Sequence, residues 1–163
     1  MTELRYEILE WLEKNSKIDL AELAILLASD EITIANEIAA MEKEEIICGY
    51  TTLIDWDKTT KEKVTALIEV GVTPQRNQGF DRIAERIYNY PEVAAVYLIS
   101  GRYDLLVTIE GRTLKEVSMF VSEKLSPIDE VVSTATHFIL KKYKDYGTIL
   151  HPHSDSERML VTP

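Results

Sequence analysis

Apolar residues recur every third or fourth position through Met41, and after that every second position in short runs separated by helical patches. That change of period dictates two differently built halves. In the first, Leu4, Ile8, Trp11 and Leu12 share one helix face, and Leu20, Leu23, Ala24 and Leu27 repeat the pattern behind Asp19, an N-cap residue type. Ile34, Ile38 and Met41 form a third stripe behind a second cap, Asp30. Only a few residues around Ala28 and Ser29 separate the second and third helices, which is helix-turn-helix spacing. Ile46 and Ile47, the turn residue Gly49 and the aromatic and β-branched run Tyr50 to Ile54 are expected to form a strand pair, the wing of a winged helix-turn-helix over residues 1–56.

The polar stretch Asp57 to Lys63 contains no apolar residue and reads as a linker. Val64, Ala66, Ile68 and Val70 then alternate as a strand, and Phe80, Ile83, Ala84 and Ile87 form a helix face stopped by Pro91. Val93 to Ile99 and Leu105 to Ile109 read as two strands joined by a tight turn at Gly101. Leu114, Val117, Val121 and Leu125 mark a helix, and Val131 to Leu140 a fourth strand. The order βαββαβ is the ferredoxin-like split unit, so residues 64–147 are expected to form an α+β domain, followed by a tail over 148–163. Both helices on one sheet face leave the other bare, with apolar side chains expected there on strands two and four, so a partner sheet should cover it.

Bulk properties narrow the function. One cysteine, Cys48, allows no internal disulfide, the N-terminus opens on Glu3, Arg5 and Glu7, and no apolar run nears the roughly 20 residues that span a bilayer. A soluble cytoplasmic protein, without membrane contact, is expected. Residues 1–60 hold five basic against fourteen acidic groups, a balance of −9 out of the chain's −10. Such a head is poorly suited to phosphate neutralisation, unless its cations cluster on one face.

Several short runs have a joint order and spacing that is specific: Leu23-Ala24, Thr33-Ile34, Ile38, Glu42, Ile46-Ile47 and Gly49-Tyr50 in the head, then Pro91-Glu92-Val93, Ser100-Gly101-Arg102-Tyr103-Asp104-Leu105-Leu106-Val107, Thr134-Ala135-Thr136 and Lys141-Lys142. In these the chain resembles the Lrp/AsnC, or feast/famine, transcriptional regulators from Leu4 to about Tyr146. The resemblance implies dimers formed by sheet-on-sheet packing, further assembly to tetramers or octamers, and amino acids or related metabolites bound between dimers. It departs at Glu37, where that family usually carries arginine, and at Ala28 and Glu45, where it usually carries glycine.

Candidate sites follow. For double-stranded DNA the third helix should enter the major groove, presenting Glu31, Thr33, Asn36, Glu37 and Ala40, with Lys43 near its end; Asn36 can pair with adenine. For a small effector, the run Ser100, Gly101, Arg102, Tyr103 and Asp104 offers backbone amides for a carboxylate and an aspartate for an α-ammonium group, which is amino-acid chemistry. The plain alternative is a hairpin turn in which Gly101 supplies a positive φ and Asp104 is solvated. Thr134 and Thr136, two apart on one strand, face one side and would complete the pocket, or are simply favoured strand residues. His151 and His153 lack a third ligand at definite spacing, so no metal and no cofactor is expected. Arg158 to Thr162 is apolar enough to add as an edge strand.

Three functions compete. A ligand-responsive transcription factor accounts for the head and the sensor half together. An adaptor that keeps the architecture without binding DNA would account for the acidic head and for Glu37. An enzyme akin to sirohaem decarboxylases would need histidines and arginines around a tetrapyrrole, whereas His137 alone lies in the folded sensor half, and no catalytic constellation stands out.

Overall fold

A computed structural model describes residues 1–73 and 79–150, which divide into two compact units, Met1–Leu53 and the chain from Ile54 onward. The histidines at 151 and 153 and the apolar run 158–162 lie outside the described residues.

The first unit is three helices, α1 (Glu3–Lys14), α2 (Leu20–Leu26) and α3 (Glu31–Lys43). Each begins where a short polar side chain accepts an orphan backbone N–H: Thr2 from Arg5, Asp19 from Ala21 and Asp30 from Thr33. Their stripes meet in a core of Ile8, Leu23, Ala24, Ile34 and Met41, ringed by Leu4, Leu12, Leu27, Ile38 and Ile47. Both α2 and α3 end in the same way. Past α2, the Ala28 N–H donates to the Ile25 carbonyl and the Ser29 N–H to the Ala24 carbonyl. Past α3, the Glu45 N–H donates to Glu42 and the Ile46 N–H to Met41. This paired pattern needs a left-handed residue at its centre, and Ala28 and Glu45 take it, at φ 48° and 58°.

The expected wing strand is not formed. Ile46 and Ile47 both donate their N–H groups to the Met41 carbonyl, at 2.9 and 3.2 Å, so they close α3 rather than begin a ladder. Tyr50 to Ile54 is left without a strand to pair with and carries no strand assignment. Tyr50 instead turns its hydroxyl to the Glu42 carboxylate at 2.8 Å.

The second unit follows the expected order: β1 (Val64–Val72), α4 (Asp81–Tyr88), β2 (Val93–Leu98), β3 (Leu105–Gly111), α5 (Leu114–Phe120) and β4 (Val131–Phe138), with a π-helical turn over Val121–Leu125. The sheet is antiparallel in the order β2-β3-β1-β4. Ala66, Ile68 and Val70 of β1 and Leu105, Val107 and Ile109 of β3 point to one side, where Ile83 and Ile87 of α4 and Val117 and Phe120 of α5 bury them. A two-residue turn, Tyr146–Gly147, with both residues at positive φ, joins a short hairpin of β5 (Lys144–Asp145) and β6 (Thr148–Ile149).

The other sheet face has no helix. Its apolar part comes from Leu67, Leu106 and Tyr97, the last 51% exposed. On β4 the apolar side chain expected on this face is a single small one, Ala135, flanked by Ser133 and His137, because Thr134 and Thr136 pair with Val70 and Ile68 and so turn to the helix side. His137 Nε2 lies 3.3 Å from the Glu69 carboxylate.

Candidate functional site

On α3 the buried stripe fixes the outward face. Ile34 and Met41 are buried, whereas Ile32, Asn36, Ala39 and Lys43, at i, i+4, i+7 and i+11, are all exposed. Of the residues expected at DNA, Asn36 and Lys43 stand on this face, while Thr33, Glu37 and Ala40 are half-buried along its flank. Thr33 is occupied: its hydroxyl donates to one Asp30 oxygen at 2.6 Å and its N–H to the other at 2.9 Å. The hydroxyl bond, with the backbone bond second, holds the Asp30 carboxyl below the usual carboxylate range.

Glu37 is likewise engaged. Arg5 of α1 donates its Nε to Glu37 at 2.6 Å and its two terminal nitrogens to Glu44 at 2.8 and 3.2 Å. Glu44 first and Glu37 second raise the Arg5 pKa, and Arg5 in return lowers that of Glu44. The head's single arginine is therefore bound by two carboxylates, and the position where a basic residue is usual in the resembling family is an acid tied to it. Ile32 and Ala39 also stand on this face, though an isolated apolar residue in a helix reads as core from sequence. Their angle from the Ile34, Ile38 and Met41 stripe was the available signal.

In the sensor unit the connection between β2 and β3 spans residues 99–104 and is held at three points. Ile99 N–H donates to the Asp104 carbonyl at 2.8 Å, and Asp104 N–H to the Val70 carbonyl at 3.1 Å. Asp104 Oδ2 then accepts the Val72 N–H at 2.8 Å. That amide is available because the β1–β3 ladder ends at the Val70–Leu105 pair, two residues before it. The expected tight turn with Gly101 at positive φ is not what forms: Gly79 and Gly147 are the glycines with positive φ among the described residues. A Cβ at Gly101 would meet only the Ile99 Cγ2, at an ordinary 3.7 Å. Among the described residues, nothing requires glycine there.

Ser100, Gly101 and Arg102 are exposed, and Tyr103 and Asp104 half-buried. Thr134 and Thr136 are half-buried on the edge strand β4. Thr134 pairs with Val70 from one side while Leu105, next to Asp104, pairs with it from the other. Loop and Thr134 thus flank the Val70–Val72 end of β1 from either side, with Thr136 two residues further along, opposite Ile68. A cleft of about 280 Å³ lies at the opposite end of β3, lined among others by Glu92, Glu110, Phe120 and Lys124. There Lys124 pairs with Glu92 and holds its carboxyl below the ordinary range.

A helix-turn-helix head before a ferredoxin-like unit defines a class of ligand-responsive regulators, and comparison makes the assignment specific. The Lrp/AsnC ligand binding domain matches residues 65–149. The HTH-type transcriptional regulator YugG of Bacillus subtilis is 48% identical over 164 residues, covering all of this chain and 99% of that protein. The chain belongs to the Lrp/AsnC family of HTH-type transcriptional regulators. Among solved structures, E. coli AsnC superposes with a TM-score of 0.67 at 22% identity, over 93% of this chain and 99% of that one. The Neisseria meningitidis regulator NMB0573, solved as a complex with L-Met, gives 0.70 at 21% identity, over 89% and 93%. No helix among the described residues is long and apolar enough to cross a membrane.

Proposed function

We propose that the protein is a cytoplasmic, sequence-specific DNA-binding regulator, without enzymatic activity, whose assembly or DNA affinity responds to an amino acid. The head contacts DNA through α3, with Asn36 and Lys43 as readers, Thr33 and Ala40 at the margin, and Glu37 acting through its pair with Arg5. The sensor unit takes its effector at Ser100, Gly101, Arg102, Tyr103 and Asp104, with Thr134 and Thr136 beside them. One observation carries this reading. Gly101 is a glycine that the chain's own backbone does not need, on a loop whose Asp104 still has one carboxylate oxygen outside the Val72 bond. A missing side chain and a spare acceptor suit a ligand carrying both carboxylate and ammonium groups. That NMB0573 was solved with L-Met supports the same ligand class.

Assembly proceeds through the helix-free sheet face, where Leu67, Leu106 and Tyr97 meet their copies, to dimers and then to tetramers or octamers. A thermal-shift screen against the common amino acids tests the site, because bound ligand at a hundred times its Kd adds about 2.7 kcal/mol to apparent stability. Gly101→Val should unfold at the wild-type temperature without ligand and show no rise with it. Asp104→Asn, which keeps an acceptor for Val72, should also lose the rise. If no amino acid shifts the wild-type transition at millimolar concentration, the effector assignment is wrong.

A second reading has one observation in its favour: the head carries a −9 balance, and Arg5 is tied to Glu37 and Glu44. On it, the protein is an adaptor that senses its ligand and does not bind DNA. A gel-shift series at low salt separates the two, since duplex retention that Asn36→Ala weakens about tenfold excludes the adaptor.

A further inference from the structure

Ile32 is 74% exposed one residue inside α3, where residues of a recognition helix meet base edges. It shares its face with Asn36, Ala39 and Lys43, and that strip carries no carboxylate. At 100° per residue the α3 acids Glu31, Glu37 and Glu42 all stand at least a quarter turn from the centre of the strip, and Glu37 is paired with Arg5 besides. In a head of twelve acids, the outward face of its third helix is thus apolar and amidic with one cation. A surface of that kind repels phosphate least and offers methyl and amide contacts instead of charge.

We propose that Ile32 is a specificity-determining residue that packs on the C5 methyl of a thymine, while Asn36 pairs with an adenine on a nearby step. The inference rests on the DNA-binding reading above and names what that site recognises. Thymine is the base that shows a methyl group in the major groove, and the side-chain amide matches the adenine N6 and N7 pair. Four residues of helix advance about 6 Å, and base pairs stack about 3.4 Å apart, so the two contacts fall roughly two steps apart.

The test uses the full chain. A duplex retained from a randomised pool at low salt is remade with each thymine replaced singly by deoxyuridine, which lacks only the methyl. Wild-type binding should weaken about fourfold at one thymine, the worth of one buried methyl group. Ile32→Ala should be indifferent to that replacement, and Ile32→Val should keep the sensitivity. Asn36→Ala should lose about tenfold when the adenine roughly two steps away is present, and little when it is not. Equal sensitivity in wild type and Ile32→Ala, or none at any thymine, overturns the assignment of Ile32 while leaving DNA binding intact. Retention of no duplex at all overturns the DNA-binding reading and this assignment with it.

Discussion

Ala28 and Glu45 sit in left-handed backbone that costs a residue with a Cβ about 1–2 kcal/mol. Each is held there by the two carbonyl contacts that close its helix, so the strain persists because the helix end needs it. Ala28→Gly and Glu45→Gly should each raise the unfolding free energy by up to about 1 kcal/mol in urea titration, after glycine's greater freedom in the unfolded chain is set against the relief. Glycine at helical Glu42 should lower it by about 1 kcal/mol instead. Asp30 makes a second residue-scale prediction. Its folded pKa lies below the unfolded value of about 3.9, so its capping contribution is complete above that pH and fades as pH falls through the folded value. Thr33→Val removes the hydroxyl bond, brings the Asp30 pKa upward, and should shift the acid unfolding midpoint of the head to higher pH.

At the scale of elements, the head relies on a small core. Ile8 is fully buried where α1 meets α2 and α3, and Ile8→Ala should cost about 2–5 kcal/mol. Calorimetry should show the loss in the transition of the first unit, with that of the sheet domain unchanged. Period explains how much of this architecture was legible. The four strands of the sheet and the five helices announced themselves through alternation or i, i+4 spacing, and Asp19 and Asp30 through their residue type. The wing misled because Ile46 and Ile47 have strand composition but are consumed by the closing turn of α3, a use of backbone N–H groups that no side-chain pattern reveals. Gly101 misled for the converse reason: glycine usually marks positive φ, and here it marks empty space. The candidate readers on α3 were partly legible. Asn36 and Lys43 fall where expected, but the Arg5 bond to Glu37 spans 32 residues and could not be read from spacing.

For the molecule as a whole, charge and sheet exposure make separate predictions. Residues 1–60 contain five cations, of which Arg5 is tied to Glu37 and Glu44 and Lys58 to Asp55, leaving Lys14, Lys17 and Lys43 for phosphates in each protomer. The slope of log K against log salt should therefore be no steeper than about −3 for each head that contacts the duplex, at roughly 0.9 per contact. Leu106→Lys, on the uncovered sheet face, should yield monomers by light scattering at micromolar concentration, whereas Val132→Lys, out on the β4 edge, should not. A dimer unaffected by Leu106→Lys would show that the copies meet elsewhere.

The bond from Val72 to Asp104 has a consequence of its own. On the effector reading proposed above, a ligand ammonium that draws the Asp104 carboxylate toward itself would leave the Val72 amide, at the end of a central strand, without its acceptor. Occupancy of an outer loop would then reach a central strand through a single proton, and deuterium uptake at that amide would report the message as it passes.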